Sequence, residues 1–258
     1  MAILTQYSTQ MGFIVARAPS DKPPFYRSAA GEGFEVSNFS HEQHTVSVSD
    51  ARPVFDSFNL DTHGFAFAVD PEGTRPEILE AIRAGDKETV RLLYYPVVEE
   101  LVKRQTQASR VVIFDHTVRR REAALAGKNP NGREQPASTV HCDHVWRPLN
   151  GPVQDWPLAM MDCTTLAKAS IHPTQLYRNR FELRGETVSI SHRKDQRWYY
   201  LDRQKTDEIT FIKIWDSKEG VSGYMCAHCA FQHPDTPEDA PLRESVEVRC
   251  LVFYDDEA

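Results

Sequence analysis

The alternation of apolar and polar residues changes character twice along the chain. In the N-terminal third it is short-range. HTVSVSDARPVF, residues 44–55, has period two, and HGFAFAV, residues 63–69, is an apolar run closed by Asp70-Pro71, so both predict strands bounded by turns. From Arg75 the period lengthens: RPEILEAIRAGDKETVRLLYYPVVEELVKRQTQ, residues 75–107, repeats apolar residues at helical spacing. A break at Gly85-Asp86 and a bend or stop near Pro96 predict two or three helices there. SRVVIFDHTVRRR then supplies a β-branched buried strand over 111–114 that ends at Asp115 and His116, followed by a turn-rich loop, GKNPNGREQPAS. The remainder reads as strands: VHCDHVWRPL, ETVSISHR, RWYYL, EITFIKIWDS, GYMCAHCAF and ESVEVRCLVFY. Helices gathered before many short strands predict an α+β, mainly β protein, a barrel or jelly roll packed against helices.

A chain of 258 residues can bury one full core, and no Gly/Ser run, Pro-rich tether or internal repeat divides it, so a single domain is expected over 1–258. Strands and helices would occupy about 1–125 and the β core about 110–258. A net charge of -7 argues against a nucleic-acid partner, because phosphate binding rests on a basic surface. The opening MAILTQYSTQMGFIVARAP lacks a signal-peptide pattern and no segment approaches a membrane span, which predicts a soluble, cytoplasmic protein. Five cysteines, an odd number, do not form a secreted disulfide framework. A small-molecule substrate is the expected partner, and a homodimer is compatible with this composition.

The chemistry concentrates in TVHCDHVWRPL, residues 139–149. On a strand, residues i and i+2 share a face, so His141 and Asp143 converge while Cys142 and His144 point away. With one more histidine this pair makes a two-His-one-carboxylate triad that leaves three metal positions open. Taken alone, His-x-Asp is also what an exposed polar strand end looks like. His228 and His233 are both candidates for the third ligand. Downstream, Arg243 and Ser245 fall on one strand face, where a guanidinium fork and a hydroxyl can grip a carboxylate. A surface ion pair with Glu238, Asp239 or Glu244 is the competing role for Arg243. Trp146, Arg147 and His116 are weaker candidates for lining a substrate pocket, since each is also explained by core packing or a satisfied turn. CAHC, residues 226–229, has the spacing of half a zinc site but no second pair accompanies it.

Four segments carry a family resemblance: LLYYPVVEELVKRQTQASRVVIFDHTVRRR, VHCDHVWRPLNGPVQDWPLAMMD, RWYYLDRQKTDEITFIKIWDS and HCAFQHPDTPEDAPLRESVEVRCLVFY. From about Val46 onward the chain resembles the AsaB-type hydroxylase/desaturase family, which includes CmcJ-like and gibberellin-desaturase-like non-haem Fe(II)/2-oxoglutarate oxygenases. The resemblance implies a double-stranded β-helix (jelly roll) core with flanking helices, and an enzyme that hydroxylates or desaturates a small specialised metabolite. It further implies Fe(II), 2-oxoglutarate and O2 as cofactor and co-substrates, with His141, Asp143 and His228 as metal ligands and Arg243 and Ser245 for the co-substrate. His228 is favoured over His233 because it lies in HCAF, which is similar to the family's H-[ST]-[AS]-F. One departure stands out. The relatives carry an additional helical stretch between the His-x-Asp strand and the VWRP segment, whereas here Asp143 and Trp146 are three residues apart. Two other classes compete: a non-catalytic small-molecule-binding protein of the same fold, and a zinc-dependent hydrolase, for which the deaminase pattern lacks its glutamate and its Pro-Cys-x-x-Cys.

Overall fold

The computed structural model describes residues 3–18, 22–28, 33–122, 145–179 and 181–255. In chain order its strands and helices are β1 Gln6–Ile14, β2 Phe25–Arg27, β3 His41–Asp50, α1 Leu60–His63, β4 Phe65–Val69, α2 Pro76–Ala84, α3 Lys87–Thr106 and β5 Arg110–Arg120. After these come β6 Val145–Pro148, β7 Leu158–Met161, β8 Ile171–Tyr177, β9 Leu183–Ile190, β10 Trp198–Tyr200, β11 Glu208–Ile212, β12 His228–Ala230 and β13 Glu244–Phe253. Residues 127–138 and 140–144, expected as a loop and the start of a strand, lie outside the described residues.

Two helices form where the long-period segment predicts them, because their ends are built to stop. Pro76 opens α2, and Gly85, at φ 72°, closes it by donating its N–H to the carbonyls of Ala81 and Ile82. Asp86 then caps α3 by accepting from Thr89 N–H. Contrary to the expected bend or stop, α3 runs through Pro96 for 20 residues. Pro96 is exposed, and Leu92, four residues earlier, is as well, so the lost backbone bond falls on the solvent side. The stripe Val90, Tyr94, Val98, Leu101 and Val102 stays buried and holds the helix in line.

The described residues are mainly β. One five-stranded sheet has the order β1-β3-β10-β7-β12, a second has the order β4-β11-β6-β13-β5, and β2-β8-β9 form a smaller sheet. The N-terminal strands are longer than their turn-rich sequence suggests. β1 pairs with β3 over nine antiparallel positions, and β4 joins the second sheet through β11. β5 also differs from expectation. It continues past Asp115 and His116 to Arg120 as an edge strand, with an irregularity opposite Arg249/Cys250, and much of its apolar run is exposed.

Alternation along the second sheet creates two unlike faces. Ile209, Phe211, Val145, Val246 and Val248 pack with α2 and α3 in one apolar cluster. The opposite face carries Trp146, Phe65, Phe67 and Ile212, which pack with Leu158, Met160 and Tyr199 of the first sheet. That second cluster closes one part of the space between the sheets. The rest of the same face is polar: Ser245, Glu247 and Thr210 are buried there.

Candidate functional site

The polar interior face is read along the ladder. Thr117, Glu247, Trp146 and Thr210 lie in register across β5, β13, β6 and β11, and Arg119, Ser245 and Pro148 form a neighbouring row. Arg243 precedes β13 by one residue and shares its parity with Ser245 and Glu247. Each of these three is buried. The strand bears apolar residues at 246, 248 and 250 for the helices and polar residues at 243, 245 and 247 for the interior.

Arg243 is held from several sides. Its backbone N–H donates to Asp155 at 3.0 Å, its Nη1 donates to the carbonyl of Trp156 at 2.5 Å, and its guanidinium lies 5.5 Å from the Trp146 ring centroid. Burial lowers its pKa to about 10, against the opposing charge of Glu247, so it remains a cation at neutral pH. It has no carboxylate partner among the described residues, and the competing surface ion pair with Glu238, Asp239 or Glu244 is not formed. Its Nε, the hydroxyl of Ser245 and the indole N–H of Trp146 are buried without a hydrogen-bond partner among the described residues. Unpaired buried donors of this kind are rare in folded proteins and mark a place where something else accepts.

His228 faces the same interior from the other sheet. In β12 it pairs with Met160 of β7, whose side chain belongs to the cluster that touches Trp146 and Phe65. Its Nδ1 lies 3.3 Å from the carbonyl of Cys226. A carbonyl only accepts, so this contact requires the proton on Nδ1 and leaves the ring lone pair on Nε2. His233 takes the other side. It receives or gives a hydrogen bond with Tyr200 hydroxyl at 3.0 Å, packs its ring at a tilt against Tyr7 with centroids 4.2 Å apart, and borders a separate cavity of about 110 Å³. Tyr200 and Tyr199 are consecutive strand residues with opposite directions, which puts His233 away from the His228 face.

The weaker candidates separate in the same way. Trp146 projects into the interior beside Arg243. Arg147 projects to the helices, where it donates to Tyr94 hydroxyl at 3.0 Å, to the carbonyls of Asp70 at 3.1 Å and Thr206 at 2.9 Å, and to the carboxylate of Asp70. His116 also faces the helices, 2.8 Å from Tyr95 hydroxyl, so neither residue lies with Arg243 and Ser245. Cys226 and Cys229 fall in different apolar clusters and do not form half a metal site. His141 and Asp143 lie outside the described residues. Sequence reasoning passed over Arg119 and Glu247, a buried ion pair at 2.5 Å on the interior face. The signal was present in ESVEVR, where a strand apolar on alternate positions carries charge on the others.

Comparison with known proteins gives a consistent set of likenesses. A family model described as "Oxidoreductase/YMDC permease-like domain" matches residues 11–145 and 144–253. The aspirochlorine biosynthesis protein N of Aspergillus oryzae is 82% identical over 114 residues, 44% of this chain and 48% of that protein, so the match spans about half of that relative. The Fe(II)/2-oxoglutarate-dependent dioxygenase nvfI of Aspergillus novofumigatus is 39% identical over 280 positions, covering 96% of this chain and 97% of the relative. The hydroxylase/desaturase efuI of Hormonema carpetanum is 26% identical over 82% of this chain and 84% of its own. A solved structure of the iron and alpha-ketoglutarate-dependent endoperoxidase NvfI superposes with a TM-score of 0.89 at 38% identity, covering 98% of this chain and 99% of that one. The alignment with nvfI is longer than the 258 residues of this chain, so the relative carries residues with no counterpart here. The family match breaks at residues 144–145, beside the short connection between Asp143 and Trp146.

Proposed function

Because the chain belongs to the hydroxylase/desaturase family of Fe(II)/2-oxoglutarate-dependent oxygenases, we propose that it hydroxylates or desaturates a small specialised metabolite, using Fe(II), 2-oxoglutarate and O2. In this reading the chain is one oxygenase-like domain whose two facing sheets make a double-stranded β-helix, a jelly roll. The ligands of the iron are His141, Asp143 and His228, and the far carboxylate of 2-oxoglutarate meets Arg243 and Ser245.

The observation that carries this reading is the pair of donors, Arg243 Nε and Ser245 Oγ, both buried and without a hydrogen-bond partner among the described residues. A cation with no carboxylate and a hydroxyl with no acceptor among the described residues fit one terminal carboxylate of a dicarboxylic acid. When bound, iron and 2-oxoglutarate supply with O2 the oxidising power to remove a hydrogen atom from an unactivated C–H bond, 2-oxoglutarate leaving as succinate and CO2.

The chain's own residues bind and orient. His228 presents Nε2 because Cys226 carbonyl holds its Nδ1 proton, which fixes ring tautomer and plane. Arg243 stays in one rotamer through its bond to Trp156 carbonyl and its position over the Trp146 ring. Asp155 anchors the backbone N–H of Arg243, which sets the depth at which β13 begins. The aromatic wall of Phe65, Phe67 and Trp146 keeps water from this part of the interior.

Anaerobic addition of Fe(II) and 2-oxoglutarate tests the proposal. A weak visible charge-transfer band is expected in the wild-type protein and is lost in His228→Ala. A wild-type protein that forms no band and binds no 2-oxoglutarate overturns the oxidative reading and leaves a non-catalytic binding protein.

A further inference from the structure

Trp156 takes a backbone conformation that its sequence disfavours twice over. Its φ is 45°, in the left-handed region, which a bulky side chain enters at a cost because its Cβ crowds the following carbonyl. It also precedes Pro157, and the residue before a proline is pushed toward extended backbone. A conformation opposed locally persists only where the surroundings fix it. Here both flanks are tied. On one side the Asp155 carboxylate accepts from Arg121 Nη1 at 2.5 Å and from the backbone N–H of Arg243 at 3.0 Å, and Gln154 carbonyl accepts from Thr236 hydroxyl at 2.9 Å. On the other, Pro157 carbonyl accepts from Phe231 N–H at 3.1 Å. The Arg121 guanidinium lies 5.4 Å from the Trp156 ring centroid, and its backbone N–H donates to Arg243 carbonyl at 2.9 Å.

What this turn delivers is one atom. Trp156 carbonyl accepts from Arg243 Nη1 at 2.5 Å. In a guanidinium, Nη1 lies across from the edge formed by Nε–H and Nη2, the edge that grips a carboxylate with two parallel bonds. Among the described residues Nε has no partner and Nη2 makes no hydrogen bond. With Nη1 pinned, the planar group cannot turn, and the Nε edge keeps one direction. We propose that Trp156 is a positioning residue: its left-handed backbone aims its carbonyl at Nη1, so that the opposite edge of Arg243 is preset for a carboxylate. The backbone does this, and the indole is not the working part. The proposal rests on the reading that Arg243 receives the far carboxylate of 2-oxoglutarate. A guanidinium free to turn has to be ordered when that carboxylate arrives, which weakens binding. A 2-oxo acid that lacks the far carboxylate, such as 2-oxobutanoate, does not feel the difference.

The test is calorimetric titration of 2-oxoglutarate, and separately of 2-oxobutanoate, into the full-length Mn(II)-loaded protein, which binds without turnover. Trp156→Gly and Trp156→Val both remove the ring, but glycine enters left-handed backbone freely and a β-branched residue does not. Trp156→Gly is expected to bind 2-oxoglutarate about tenfold more tightly than Trp156→Val, while the two variants bind 2-oxobutanoate equally to within about twofold. A merely structural role for Trp156 lowers the affinity for both acids together. Thermal melts of each variant run alongside. Where Trp156→Val does not fold, Trp156→Ala takes its place and is expected to be about fivefold weaker than Trp156→Gly toward 2-oxoglutarate. Equal 2-oxoglutarate affinity in the glycine variant and its partner, or a loss shared equally by the two acids, overturns the proposal while leaving the 2-oxoglutarate reading intact. A wild-type protein that does not bind 2-oxoglutarate, or binds it no better than 2-oxobutanoate, removes both.

Discussion

The hydroxyl of Tyr94, in the buried stripe of α3, accepts the Nε–H of Arg147, in β6, at 3.0 Å. This bond crosses the boundary between helix and sheet, and the same guanidinium closes onto the Asp70 carboxylate and two backbone carbonyls. Arg147 is fully enclosed, and Gly73 makes room for it: a Cβ there would strike the guanidinium. Removing one partner leaves a buried charge alone, so Arg147→Met is expected to lower stability by about 3–5 kcal/mol. Asp70→Asn together with Arg147→Met costs clearly less. Denaturant unfolding of the two variants reads this directly, and an Arg147→Met protein within about 1 kcal/mol of wild type would show that the latch is not structural.

Ser245 is expected to behave in the opposite manner. Its hydroxyl has no partner among the described residues, so Ser245→Ala breaks no bond there and the melting temperature stays within a degree or two of wild type. Binding of 2-oxoglutarate weakens, by about tenfold, the value of one hydrogen bond to a charged acceptor. Equal affinity in variant and wild type, measured by titration, would remove Ser245 from the site.

Stability falls as the pH drops below neutral. Burial lowers the pKa of His41, His116, His172, His192 and His233 from 6.5. Below 6.5 the unfolded chain therefore holds more protons than the folded one, and stability is lost from that point downward until the folded histidines also protonate. Above 6.5 both states are neutral and this dependence vanishes. The midpoint of denaturant unfolding is expected to be lower at pH 5.5 than at pH 7.5, with the difference reduced in His233→Gln. A midpoint that stays level or rises on acidification contradicts the assignment.

The thiols should be silent in the native protein. Cys163, Cys226, Cys229 and Cys250 are buried and unbridged, and burial raises Cys229 to about 12 and Cys250 to about 11. In Cys142→Ser, which removes the cysteine outside the described residues, a thiol reagent at pH 8 is expected to find no fast-reacting group until denaturant is added. Rapid modification of one or more equivalents under native conditions would mean that this part of the core opens.

Much of this protein was legible from its sequence. The period of the apolar residues located α2, α3, β3, β4, β11 and β13, because a buried stripe recurs every three or four residues on a helix and every two on a strand. The stops were legible too, at Gly85 and Asp86, since left-handed backbone and capping carboxylates are local chemistry. The continuation of α3 through Pro96 was not, because tertiary packing of Tyr94 and Val98 outweighs one lost bond on the solvent side.

The sequence by itself determined the identity of the residues able to do chemistry, and their likeness to a family. It also determined that Arg243 and Ser245 share one strand face. Only the tertiary structure decided which way each face turns. Trp146 and Arg147 are neighbours in the chain, yet one enters the space between the sheets and the other locks the helices. His228 and His233 part in the same manner. Direction depends on which surface is covered by which neighbour, a non-local property set by strand pairing between residues more than a hundred positions apart, such as Arg119 and Ser245.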